Sequence, residues 1–343
     1  MTDIRALSLA EIQAYCHTQG LPAFRAKQLY SWLWQKSAQS FEDMSNLPLP
    51  LRSSLADTFT FHNMHIHESR TSVDGTIKSV FKLHDGHIVE GVMIPTDTRA
   101  TACVSSQVGC SLSCKFCATG YMGRKRNLTA YEIYDQVVLI NKQAEASLGR
   151  GLNNIVFMGM GEPLLNYRSV MKAIEHITSP EGLGWSPKRI TVSTAGIAKM
   201  ILKLADDDVK FNLALSLHAA DDEKRNTIMP INEHNNLSVL VDALNYFYNK
   251  TKNKITFEYI LLKGVNDTIK DAKNLIKLTA KVPAKVNIIE YNPISEAAFR
   301  NSDAANTDAF LAILEKHRIV AKVRRSRGKD IDAACGQLAN KIK

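Results

Sequence analysis

From about residue 100 to residue 323, short β-branched and apolar runs alternate with longer stretches patterned like helices. Extended segments are expected over 102–105, 155–158, 189–193, 212–217, 256–261, 285–290 and 319–323. Helices are expected between them, for example over 130–148, 167–177, 237–250 and 268–279. Strands joined through helices pair in parallel, because the crossover carries the chain back to the end of the sheet where it started. The expected fold is therefore α/β, an open or closed barrel whose site lies at the C-terminal ends of its strands.

Ahead of that region, residues 1 to about 60 read as helical. Ser8 and Glu11 form a capping-box pair, and the segment 24–37 carries Ala26, Leu29, Tyr30 and Leu33 at helical spacing. Asn46-Leu47-Pro48-Leu49-Pro50 breaks the pattern, and two extended runs, 77–83 and 87–94, meet at His84-Asp85-Gly86 as a hairpin. Met1-Thr2-Asp3-Ile4-Arg5 lacks the basic-then-apolar order of a secretory signal, and no apolar run reaches the roughly 18 residues a membrane span needs. Six cysteines in 343 residues, three of them clustered, do not make a secreted disulfide scaffold. A cytoplasmic protein with no membrane association is expected, and a net charge of +9 favours a polyanionic partner.

The clustered cysteines are Cys110, Cys114 and Cys117, in a loop directly after the strand that holds Cys103. A structural zinc site wants four ligands, whereas a four-iron cluster on three thiolates keeps one iron open to an outside ligand. Phe116, just before the last cysteine, suits a loop packed over such a cluster. Other strand ends carry Gly159-Met160-Gly161-Glu162-Pro163, Ser193, Ser216 with His218, and Asn292. Each reads singly as a turn or cap residue. Converging at one barrel mouth, they read as a polar ligand site, with the Glu162 carboxylate suited to an ammonium group. Near the end of the chain, Arg324-Arg325-Ser326-Arg327-Gly328-Lys329 is basic, and Cys335 sits between small neighbours.

These motifs resemble, over nearly the whole chain, the RlmN family of radical-SAM dual-specificity RNA adenine-C2 methyltransferases. The segments that carry the resemblance are Cys103-Val104-Ser105-Ser106-Gln107-Val108-Gly109-Cys110, the cysteine loop, Gly159 through Asn166, and Asp330 through Leu338. It implies a partial (β/α)6 radical-SAM barrel over 101–323. It also implies a small helical RNA-binding accessory domain over 1–70, a β-hairpin extension over 71–100 and a C-terminal segment over 324–343.

It further implies one 4Fe-4S cluster on Cys110, Cys114 and Cys117. S-adenosylmethionine, two molecules per turnover, would be held by Gly161, Glu162, Ser193, Ser216, Leu217, His218 and Asn292. Cys335 would carry the methyl group, Cys103 would pair with it in a disulfide, and Glu90 would accept a proton. Without the resemblance Glu90 reads as an outward-facing strand residue and Cys16 as a buried helix thiol.

The implied substrates are large-subunit ribosomal RNA and tRNA, served by a monomer with an external reductant. Arg124, Lys125 and Arg126, and the run from Lys322 to Lys329, are candidates for phosphate contacts. The adenine-C8 methyltransferases (the Cfr type) share the cysteines, but Gly161 through Asn166 and Arg324 through Gly328 look like the C2 enzymes. A radical-SAM activase of a partner protein would need no Cys335, and a structural metal module would need none of the rest.

Overall fold

Ten strands form a single sheet in which spatial order follows chain order from end to end. They are β1 (His65–Thr71), β2 (Ile77–Lys82), β3 (Ile88–Pro95), β4 (Ala100–Cys103), β5 (Asn154–Phe157), β6 (Ile190–Thr194), β7 (Asn212–Ser216), β8 (Ile255–Leu261), β9 (Ala284–Glu290) and β10 (Ala321–Arg324). The computed structural model describes residues 1–340; the last three positions of the segment expected over 324–343 lie outside that range.

Strands β4 to β10 run parallel. Each new strand joins the same edge, so right-handed crossovers place every connecting helix on one face. The other face is left free to curl around a cavity. One cavity is lined from β4, β5, β6, β7, β8, β9 and β10 together, which is the curvature of a partial barrel. Six strand–helix units followed by a seventh strand match the expected α/β barrel.

Local chemistry sets the helix ends. The first crossover helix, Ala130–Leu148, opens on a Thr129–Glu132 capping box and stops at Gly149 with φ +65°. The second, Tyr167–Thr178, buries Val170, Ala173, Ile174 and Ile177 along one stripe. The break at Pro48–Pro50 proves to be a beginning: a helix runs over Leu49–Thr58 with proline in its first turn, where no amide hydrogen is needed. Strand β1, which the sequence pattern does not announce, pairs antiparallel with β2, and β2 with β3, extending the barrel edge through the hairpin.

The N-terminal helices dock on the outer helices of the barrel. Trp34, fully buried, stacks on His176 with ring centroids 3.5 Å apart and meets Tyr134 edge-on at 5.1 Å. Arg5 bridges Asp3 at 2.9 Å and Asp135 at 2.7 Å, out of solvent. Such a pair is unforgiving, since removing one partner strands the other charge. Cys16 is buried in its helix, as its place in the sequence pattern implies.

Burial, with Lys172 adding to it, pushes His176 down to about 3. Above the ordinary histidine range near 6.5 the ring is neutral in both folded and unfolded chains, and stability is complete. As pH falls from there toward 3, the unfolded chain binds a proton that the folded chain refuses, and stability is lost. His176→Phe keeps a ring against Trp34 and removes that titration. Urea midpoints measured from pH 7 to pH 4 are expected to fall less steeply in the variant; an unchanged slope would refute the assignment.

Candidate active site

Two cavities share the interior of the sheet. The smaller, about 160 Å³, lies at the C-terminal strand ends and is lined by Cys110, Cys114, Cys117, Gly161, Glu162, Ser193, Ser216 and His218 among others. The larger, about 560 Å³, reaches down to the N-terminal strand ends, where Asn154, Thr191, Asn212 and Thr256 face it. Met158, Glu258, Ile289, Arg324, Cys335 and Gly336 line both. They form the wall between the two.

The three loop cysteines are partly exposed free thiols. Burial is the main cause that raises all three, Cys110 to about 11, with neighbouring thiols adding to it. Among the described residues no three His, Cys, Asp or Glu side chains converge on one metal ion. A cubane asks for something different, one thiolate for each of three irons. Three thiols around one cavity, with a strand-end carboxylate beside them, fit that donor set.

Gly161 and Glu162 follow β5. Gly161 has φ +93°, and a Cβ there would stand 2.4 Å from Gln107 Cβ, so only glycine fits. The Glu162 carboxylate accepts from Leu164 N–H at 3.0 Å and from Ala195 N–H at 2.8 Å. Burial lifts its pKa to about 7 against those two donors. Each oxygen keeps a second lone pair toward the cavity. Ser193 and Ser216, ending β6 and β7, share a hydrogen bond of 3.5 Å.

His218 is buried with φ +57°, accepts from Ile260 N–H through Nδ1 at 3.1 Å, and packs edge-on to Phe116. Burial, helped by Arg225, lowers it to about 3, so the ring is neutral with its hydrogen on Nε2. Leu217 is fully buried and does not line the cavity; its carbonyl accepts from Arg225 Nε at 2.9 Å. Asn292 lies under the C-terminal segment, donating to Cys335 O at 3.2 Å and to Ser326 Oγ at 3.0 Å. Its Oδ1 is buried without a partner among the described residues.

Cys335 sits on a strap, residues 332–339, laid across the interior. Ala118 N–H donates to Gly336 O at 2.7 Å and Thr119 Oγ1 to Leu338 O at 2.6 Å, tying the strap to the cysteine loop. Cys103, at the end of β4, is buried in the larger cavity. Burial, reinforced by Cys335, pushes its thiol up to about 12, and Arg324 opposes the shift. Both are free thiols.

The outward orientation read for Glu90 is overturned. Val92, two residues on, pairs with Cys103 across β3 and β4, so Glu90 shares the inner face with that thiol. It is fully buried, paired with Lys78 at 3.0 Å, and accepts from Ala339 N–H at 2.9 Å.

The basic residues are also redistributed. Arg126 is taken up by Asp85 at 2.6 Å and Glu132 at 2.8 Å, and Lys329 by Glu290 at 2.7 Å. From the run Lys322 to Lys329, Lys322, Arg324, Arg325 and Arg327 line the larger cavity together with Arg99, Lys188 and Arg189, and Glu258 is the sole carboxylate of that lining among the described residues.

Three polar residues of the interior carry no motif. Arg225, fully buried, fans across Ala195 O at 2.6 Å, Ser216 O at 3.1 Å and Leu217 O, pinning two strand ends. Its helix reads as a plain charged surface. Lys78 and Glu258 interrupt apolar strands, and that interruption is a signal the sequence does offer.

Comparisons with known proteins agree with this geometry. Residues 104–277 match the family model described as "Radical SAM superfamily", and residues 2–60 match "Ribosomal RNA large subunit methyltransferase N-terminal domain". A protein of Cytophaga hutchinsonii named "Probable dual-specificity RNA methyltransferase RlmN" is 59% identical over 98% of this chain and 93% of its own. The "Dual-specificity RNA methyltransferase RlmN" of Geotalea uraniireducens is 42% identical over 99% of this chain and 97% of its own. A crystal structure of a radical SAM methyltransferase from Sphaerobacter thermophilus superposes with a TM-score of 0.93 at 38% identity, covering 99% of this chain and all of that one. With cysteine loop, barrel and N-terminal unit all matched along the chain, it belongs to the RlmN family of radical-SAM RNA methyltransferases.

Proposed function

We propose that this enzyme methylates C2 of an adenosine in large-subunit ribosomal RNA and in tRNA, in two stages that both use Cys335. The observation that carries the reading is the place of Cys335 in the wall between the two cavities, with Cys103 on the far side. A carrier must receive its methyl group from one compartment and present it to a base in another. When bound, the cluster on Cys110, Cys114 and Cys117 supplies one electron, while S-adenosylmethionine supplies first a methyl group and then, as a second molecule, the hydrogen-abstracting radical.

The side chains do the rest. Gly161, Glu162, Ser193, Ser216 and His218 hold S-adenosylmethionine in the smaller cavity, while Leu217 and Asn292, outside its lining, set the adjoining strand ends. The Cys335 thiolate takes the methyl group by displacement, since only the thiolate is nucleophilic. Arg324, whose cation feels Cys335 more than any other group, favours that anion.

The target base leaves its stack to enter the larger cavity, drawn through the cationic mouth. There the carbon carried on Cys335 would bond to C2, the C2 proton would pass to Glu90, and the odd electron of the adduct would return to the cluster. The Cys103 thiolate would then attack the Cys335 sulfur; the carrier carbon leaves with the electron pair of its broken bond, takes up a proton to become the methyl group, and a disulfide remains that an external thiol reductant resets. In this reading the enzyme works in the cytoplasm as a monomer.

Nucleoside mass spectrometry of RNA treated with the reconstituted enzyme is expected to show 2-methyladenosine. Cys335→Ala should abolish the product, and Cys103→Ala should leave RNA covalently attached to protein. Methylation at C8, or full activity of Cys335→Ala, would sink the reading. Reversing charge at the lower mouth, Lys188→Glu with Arg189→Glu, is expected to weaken RNA binding. It should also flatten the log-affinity against log-salt slope by about 0.7 for each phosphate that the variant no longer neutralises; an unchanged slope would place the phosphates elsewhere.

A further inference from the structure

Glu258 is the buried charge that the steps above leave unused. It stands at the middle of β8, between Ser216 on β7 and Asn287 on β9, and is 4% exposed. Its backbone is fixed, for its carbonyl accepts from Leu217 N–H at 3.0 Å and from His218 N–H at 3.2 Å. One carboxylate oxygen, Oε1, accepts from Asn287 Nδ2 at 2.9 Å. The other, Oε2, is buried with no hydrogen-bond partner among the described residues. A buried carboxylate oxygen without a partner is costly, and such groups are retained where a ligand completes them.

Its position says which ligand. Glu258 lines both cavities, as Cys335 does. In the larger one it is, among the described residues, the only carboxylate beside seven cationic side chains and several amides and hydroxyls. A nucleobase entering that space meets many donors for its ring nitrogens and carbonyls, but a single charged acceptor for an amino group. Adenine carries its reacting carbon, C2, and its exocyclic amino group on either side of N1. With C2 turned to the Cys335 sulfur, the amino group falls on the same edge of the ring, toward the wall that Glu258 shares. Guanine would present a carbonyl oxygen to the carboxylate and has its own amino group on C2, so it fails at both points.

We propose that Glu258 recognises the target base, with its free Oε2 accepting a hydrogen bond from the exocyclic amino group of an adenine whose C2 faces Cys335. The inference rests on the adenosine reading above and deepens it by naming the group that selects the base. Asn287 is then a positioning residue, since it holds the carboxylate plane by its other oxygen. Burial pushes the Glu258 carboxyl up, and the charge of Arg324 with the Asn287 hydrogen bond works against that shift in favour of the ionised acceptor.

The test uses the reconstituted holoenzyme and two stem-loop RNAs, one with the adenosine that nucleoside mapping identifies and one with purine riboside in its place. The second differs only by lacking the amino group. Anisotropy gives binding and single-turnover methylation gives rate. Wild type is expected to favour the adenosine RNA by about 10- to 100-fold in kcat/KM, the range for one hydrogen bond to a charged acceptor. Glu258→Gln keeps the shape and an acceptor oxygen and should retain part of that preference. Glu258→Met keeps the length without an acceptor and should treat the two RNAs nearly alike in both readouts.

A Glu258→Met enzyme with the full preference overturns the proposal. So does a wild type that does not distinguish the RNAs, a result that needs no variant to fold. In either case, 2-methyladenosine formed on the first RNA would leave the proposed reaction standing and remove only the role given to Glu258.

Discussion

The strap of residues 332–339 divides the barrel, and most of the site depends on how it is held. No helix or strand includes it. Its carbonyls are satisfied instead by groups from around the barrel, Asn292 on Cys335 O, Ala118 on Gly336 O and Thr119 on Leu338 O, and its own Gln337 side chain donates outward to Pro293 O. Lys78 donates to Asp332 O at 3.1 Å, and Glu90 accepts from Ala339 N–H, so one buried ion pair grips the strap on both sides of Cys335. A segment tied at many single points is ordered without being part of a cooperative element. It can be rigid where Cys335 must face two compartments, yet it has little to lose locally when that residue turns between them.

Electrostatics inside the barrel follow from the same layout. Burial opposes ionisation of Cys103, Cys110, Cys114 and Cys117, and a buried thiolate forms only with compensating positive charge nearby. Arg324 is placed to give it, close enough to Cys335, Cys103 and Glu258 for all three to raise its own pKa. One guanidinium thus serves three acidic groups out of bulk solvent, where charges act on one another more strongly than in water. Arg225 does different work. Its guanidinium makes four hydrogen bonds, three to carbonyls and one to Asn232, which makes it a brace for strand ends.

The parts of the fold that repeat were legible in the chain. Period-two and helical patterns located the parallel strands to within a few residues, and the capping boxes at Ser8 and Thr129 are local chemistry that needs no tertiary context. The cysteine loop was legible for the same reason, because three ligands fall within one short segment. What stayed hidden was long-range. Glu90 could not be oriented without knowing that Val92 faces Cys103, since a one-residue change of register would have turned it outward. Arg126 looked free for phosphate until Asp85 and Glu132 came beside it. The short strand β1, His65–Thr71, alternates exposed and half-buried positions and has no apolar run to announce it.

Why Cys335, the proposed methyl carrier, lies on a C-terminal strap, and not on a barrel strand like Cys103, follows from strand geometry. A strand side chain points to one face at a fixed height along the barrel axis, so Cys103 reaches only the larger cavity. The wall between the cavities sits at the level of Met158 and Glu258, where β5 gives way to its loop and β8 is in mid-course. Closing that level requires a segment running across the strands, not along them. A segment following the last barrel strand is free to do so, because no further strand must be reached. Small neighbours, Ala333, Ala334 and Gly336, let it pass beneath the cysteine loop, and Gly336, with φ +85°, turns the chain immediately after the thiol. In the proposed reaction, the two cysteines thus divide between a residue that serves both sides and one that waits on the side where the product leaves.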